Sequence, residues 1–171
     1  MRFISAVAIL GLAWLGCAAN CWAQQDENEK LEGFREGIAA QARALVALRS
    51  ATSLHCRFGP GHSAKWVRGE PRTEPGEFTS TGDPIIFYGI DLEAGSAKIM
   101  GNQGTQSLAV ISTLSGLTFL ESTDTGNINL TTVFAGFAGQ PDQFTAVHSR
   151  HFYMAGRAMP SQYHGTCVVT D

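Results

Sequence analysis

His148-Ser149-Arg150-His151 packs two imidazoles, a hydroxyl and a guanidinium into four consecutive positions. Such residues could hold a metal, activate a serine or bind an anion. The flanking residues, Phe144 to Met154, alternate as a strand does, and strand side chains point to opposite faces in turn. On a regular strand His148, Arg150 and Phe152 then share one face, and Ser149, His151 and Tyr153 the other. His148 and His151 therefore point apart and cannot jointly ligate a metal unless a bulge intervenes. No acid or third histidine stands at ligand spacing, so no metal is implied. Ser149 and His151 share a face, but a serine nucleophile also needs an elbow and an oxyanion hole. Ser63 in Gly61-His62-Ser63-Ala64-Lys65 begins like a nucleophile elbow and ends in lysine where that motif has glycine. No catalytic residues are assigned, and the chain reads more as a non-enzyme than as an enzyme.

Two roles remain for the polar segment. In the structural one, Arg150 pairs with a carboxylate on a neighbouring strand, Asp91 or Glu121, and His148 or His151 bonds to backbone or to Tyr163. In the functional one, His148, Arg150, His151 and Tyr163 line a pocket that holds a polar or anionic ligand.

These residues lie late in a chain of 171 residues, enough for one domain. Met1-Arg2, an apolar run from Phe3 to Gly16 and the small-residue end Cys21-Trp22-Ala23 form a signal peptide over 1–23, with cleavage expected before Gln24. A retained N-terminal anchor is the alternative. Lipidation of Cys17 is a further one, although Trp14 stands where the lipidation pattern wants leucine. The apolar run is shorter than the ~20 residues of a membrane span, so no stable span is expected after cleavage. The chain has 12 Lys and Arg against 15 Asp and Glu, a net charge of −3. Loss of residues 1–23 removes Arg2 and no acid, leaving 11 against 15, or −4. That balance, with no basic run, argues against nucleic acid and against an anionic lipid surface as partners.

Cys56 and Cys167 then remain. In an exported protein an isolated pair reads as a disulfide. Without C-x-x-C or spaced histidines, redox chemistry and zinc are not implied, and no cofactor is.

Residues 24–50 form an N-terminal helix, clearest over 26–49, where Leu31, Phe34, Ile38, Ala42, Leu45 and Leu48 recur at steps of three and four. Asp26 and Glu29 suit a capping box. The alternative, a helix lying on a membrane, has more acid than base on its polar face. The β domain spans 51–171. A first strand covers 53–58. Residues 59–77, rich in glycine and proline, read as an irregular segment with a short strand at 65–68. Thereafter strands at 84–92, 97–101, 107–113, 117–122, 127–136, 144–154 and 161–170 alternate with close turn signals, which predicts antiparallel hairpins. Cys56 lies in the first strand and Cys167 in the last. A disulfide needs their Cα atoms within about 7 Å, so the meander must curl into a barrel-like sheet with the helix packed on it. A two-layer sandwich is the alternative. Asn129-Leu130-Thr131 is an ordinary strand unless the chain passes through a eukaryotic secretory route.

Leu117 to Ser122 (LTFLES), Gly126 to Phe134 (GNINLTTVF), FTAVHSRH at 144–151 and PSQYHGTC at 160–167, in that order, resemble a group of small exported bacterial proteins of unassigned function. The resemblance covers about residues 50–170. It implies export, an all-β body and the cysteine pair, and brings no activity. The reading favoured by the sequence is a non-catalytic periplasmic or secreted binding module. Its partner is an unknown small ligand or an envelope protein. The alternatives are an envelope structural protein without a pocket, or an unrecognised hydrolase.

Overall fold

A computed structural model describes residues 8–78, 84–101, 104–137, 139–140 and 142–170. The expected signal-peptide start at Met1-Arg2 lies outside them, as do the side chains around Cys17 and Ala23 and parts of the turns expected at 102–106 and 138–143. One helix, α1 (Ala8–Ser50), precedes the strands β1 (Ser53–Val67), β2 (Glu70–Glu77), β3 (Ile85–Asp91), β4 (Ser96–Gly101) and β5 (Gly104–Thr113). Then follow β6 (Gly116–Ser122), β7 (Ile128–Phe137), β8 (Gln143–Met154) and β9 (Arg157–Val169).

Each strand from β3 to β9 pairs antiparallel with the next, and β1 bonds to both β3 and β9. The meander thus closes into an eight-stranded antiparallel barrel, and the sandwich alternative is set aside. Closure removes the sheet edges that an open meander would leave. The first half of β1 pairs with β3, and its second half carries β2 as a hairpin on the same side.

Cys56 and Cys167 are direct cross-strand partners on β1 and β9 and form a fully buried disulfide across the closing seam. Such a bond fits folding in an oxidising compartment. Leu54, Phe87, Leu108, Leu117, Val133 and Phe144 fill the core around it. The opposite faces of these strands carry polar residues such as Thr118 and Thr132, whose hydroxyls lie 3.0 Å apart. This is the apolar-in alternation of a packed barrel.

The segment 59–77 corrects the sequence reading. It is strand almost throughout, and the expected piece at 65–68 is part of a long hairpin. Gly59-Pro60 form a bulge between Phe58 and Gly61 that lets β1 change neighbours. The hairpin turns at Arg68-Gly69 with φ of 55° and 85°, the primed geometry that suits strand twist. Its prolines do not break it. The Phe78 N–H bonds to Gly59 O, so the even positions of β2 face β1, and Pro71 and Pro75 carry their missing donors on the open edge.

The helix is longer than expected: it is already helical from Ala8, so Asp26 does not start it. The chain divides into a unit Met1–Ala39 and a unit Ala40–Asp171. Within the second, Ala44 and Leu48 are fully buried with the barrel core. The Arg49 guanidinium donates to Thr113 O at the end of β5. Of the expected apolar stripe only Leu45 and Leu48 are covered, and Leu31, Phe34, Ile38 and Ala42 are exposed. No helix among the described residues is long and apolar enough to cross a membrane.

Candidate functional site

The register lays the inward side chains of β6, β7, β8, β9 and β1 in successive rows across the barrel wall. Nearest the disulfide, Phe144, Cys167, Cys56 and Ile85 are consecutive partners. Next come Leu117, Val133, Ala146, Gly165 and Phe58. The third row is Phe119, Thr131, His148, Tyr163 and Gly61, and the fourth is Glu121, Asn129, Arg150, Ser161 and Ser63. Side chains on one face recur at every second residue, so each row is two residues further along each regular strand. The interior changes from wholly apolar to charged within these four steps.

His148 is the pivot of the third row. It is 4% exposed, and its Nδ1 lies 2.8 Å from Thr131 Oγ1. The rings of Phe58 and Phe78 stand 5.3 Å from it on two sides. Phe78 also meets Tyr163 edge-on at 5.3 Å. Glycine makes this crowding possible. A Cβ on Gly61 would collide with the Gln162 carbonyl and the Tyr163 ring, and one on Gly165 with the Arg57 carbonyl and the Phe58 ring. Each aromatic thus covers a glycine on the adjoining strand, a pairing that closes gaps in strongly curled sheets.

Burial in this ring of aromatics, and secondarily the charge of Arg150, push His148 down from 6.5 to about 4. At neutral pH it is an uncharged imidazole sharing a hydrogen bond with Thr131.

Arg150 is half-buried one row further out, its guanidinium carbon 6.0 Å from the centre of the Phe152 ring. The expected ion pair is not what its neighbours make. Asp91 Oδ1 accepts from the Glu93 and Ala94 N–H groups and caps the β3–β4 turn. Glu121 Oε2 accepts from Asn129 Nδ2 at 2.7 Å, and Asn129 stands between Glu121 and Arg150 in the row. No carboxylate among the described residues is paired with Arg150.

The four residues proposed from sequence therefore separate. His148, Arg150 and Tyr163 come together on the inward face. His151 is exposed, opposite Ile128 and Pro160. Ser149 accepts from Gln162 Nε2 at 3.2 Å, and Ser63 lies within β1, so neither sits on an elbow. Thr131, Phe58 and Phe78 belong to the cluster and were not singled out by sequence. Thr131 had only a parity signal, as one of the inward residues of the strand hairpinned to that of His148. Among the described residues no three His, Cys, Asp or Glu side chains are grouped to hold a metal.

No protein-family model matches the chain. No curated protein matches it significantly either. The resemblance to small exported bacterial proteins thus stands on the quoted phrases alone.

Proposed function

We propose that the chain is an exported, non-catalytic binding protein. It holds a small anionic ligand with an apolar or aromatic body at the polar end of the barrel. The observation that carries this reading is Arg150: a half-buried cation in the barrel wall, without a paired carboxylate among the described residues, one row from the aromatic cluster of Phe58, Phe78 and Tyr163. A cation beside aromatic rings suits an anion attached to an apolar body. The neutral His148 supports the same reading, since an uncharged imidazole adds polarity without a second cation to be neutralised. Export rests on the signal-peptide pattern of residues 1–23, on the resemblance, and on the compartment in which a buried disulfide forms.

The test uses anilinonaphthalene sulfonate, an anionic aromatic dye, as probe. The folded protein should bind it saturably at one site. Arg150→Ala should weaken binding about tenfold, equivalent to ~1.4 kcal/mol, and Ser149→Ala, on the outer face, should leave it unchanged. Equal affinity of wild type and Arg150→Ala would remove the ligand reading. Intact mass of the exported product tests the location. Expression with the native N-terminus should give a periplasmic or secreted chain beginning at Gln24, and a product that keeps residues 1–23 or bears lipid on Cys17 counts against it.

A further inference from the structure

Past the fourth row the barrel wall forks. The β1–β9 pairing ends at Ser63 and Ser161. Beyond that point β1 pairs only with β2, and β9 only with β8. The result is two hairpin fingers of equal length past the fork. The second is held on its far side by Ile128, which pairs with His151, and by Asn127, whose Oδ1 accepts from the Tyr153 N–H at 2.8 Å. One has the pairs Ala64–Thr73, Lys65–Arg72, Trp66–Pro71 and Val67–Glu70, and the other His151–Pro160, Phe152–Met159, Tyr153–Ala158 and Met154–Arg157. Four pairs at ~3.3 Å each carry a finger about 13 Å beyond the fork.

The tips match residue by residue. Each turns through two residues with positive φ, Arg68-Gly69 and Ala155-Gly156. Each presents an aromatic two places before the turn and an aliphatic residue one place before it. Trp66 is 52% exposed and Val67 42%, while Tyr153 is 64% exposed and Met154 56%. Four large apolar side chains at corresponding heights on neighbouring fingers are a different matter from apolar residues scattered singly over a surface. Tryptophan and tyrosine are also the side chains that favour the membrane–water boundary, with an apolar body and a polar edge.

Charge and backbone narrow the occupant. Arg68, Arg72 and Arg157 lie in or within four residues of the turns, against Glu70, and Lys65 is engaged with Glu74. The tips are therefore cationic on a chain whose net charge is negative. At physiological ionic strength charges beyond ~8 Å are screened, so the local arginines dominate at the tips. A protein partner adding a strand is disfavoured, because Pro71 and Pro75 leave the open edge of β2 without donors at those positions. We propose that the two fingertips are a membrane-contacting surface, with Trp66, Val67, Tyr153 and Met154 entering the interface of a bilayer and the arginines meeting anionic headgroups.

The decisive measurement uses the full chain with Trp14→Phe and Trp22→Phe, so that Trp66 is the one remaining tryptophan. It is mixed with vesicles of phosphatidylethanolamine and phosphatidylglycerol. The protein should sediment with them, and Trp66 emission should move to shorter wavelength and be quenched by brominated acyl chains. Trp66→Ser with Tyr153→Ser should lower partitioning about tenfold. Leu114→Ser, which removes a still more exposed apolar residue from the β5–β6 turn, should not. A protein that fails to sediment, or one carried down by its N-terminal stretch while Trp66 emission stays unchanged, overturns the proposal. So does a Leu114→Ser loss equal to that of the fingertip variant. Equal partitioning into pure phosphatidylcholine vesicles overturns the role given to the arginines.

Discussion

Protonation of His148 should destabilise the barrel. The folded protein would have to place a second cation beside Arg150 and against the touching Phe58 and Phe78 rings. The folded pKa, about 4, is below the ordinary 6.5 that the unfolded chain keeps. Between those values the unfolded chain binds more protons, so stability rises with pH. The contribution is fully present above pH ~6.5 and is lost as pH falls toward about 4. At ~1.4 kcal/mol per pH unit the whole effect is about 3 kcal/mol, of which about 2 kcal/mol is lost by pH ~5. His148→Gln keeps a polar group for Thr131 and removes the titration. Urea unfolding of both proteins, followed by circular dichroism from about pH 7.5 to about pH 4.5, isolates the term. All other titrating groups are common to the two chains and cancel in the difference. The stability advantage of wild type should shrink by about 2 kcal/mol between neutral pH and pH ~5. A constant difference would mean that His148 titrates alike in both states and that the aromatic box is open to water.

Replacing Cys56 and Cys167 by alanine should cost about 4 to 5 kcal/mol by the loop-entropy argument, read from urea midpoints, and thiol labelling of the denatured, unreduced protein should find neither cysteine free. Ala155→Asn should raise the melting temperature, gaining about 1 kcal/mol, because Ala155 sits at φ 51° in a turn that suits asparagine. Gly165→Ala should destabilise by about 1 to 3 kcal/mol in the same melting assay, since its methyl would meet the Arg57 carbonyl and the Phe58 ring. Arg150→Ala should cost no more than about 1 kcal/mol in urea unfolding, because its contact is the Phe152 ring and no carboxylate among the described residues is paired with it.

The fold was legible where local chemistry and global topology agree. From Ile85 onward, alternation and turn residues mark each strand to within a few residues. The two cysteines, on strands 111 residues apart in sequence, supplied the long-range contact that turns a meander into a barrel. The segment 59–77 misled because prolines and glycines were counted without asking which edge they occupy. Pro71 and Pro75 share a parity, and with Arg68-Gly69 as the turn both fall on the open side of β2. The helix misled differently. Its apolar period is real from Leu31 to Leu48, but Ala44, Leu45, Ala47 and Leu48 are the helix residues that join the barrel core.

The candidate site was half legible for a reason of register. Alternation alone puts His148 and Arg150 on one face and His151 on the other. It cannot say that Thr131 stands opposite His148, because that depends on the β7–β8 loop length and on the irregular pairing between Val133 and Phe137. Nor can it bring in Phe58 and Phe78, which reach His148 only through barrel closure and the bulge at Gly59-Pro60. The rows explain why such a site is tolerated. Keeping a histidine neutral against aromatic rings, and an arginine in a wall with no ion pair among the described residues, adds little to stability. The rows nearer the helix are wholly apolar and carry the disulfide, so the barrel is held from that end. The outer rows are then free to be polar, and the fork at Ser63 and Ser161 opens beside them. The stabilising core and the proposed binding site thus fall at opposite ends of the same strands, with His148 in the row where the interior turns from apolar to charged.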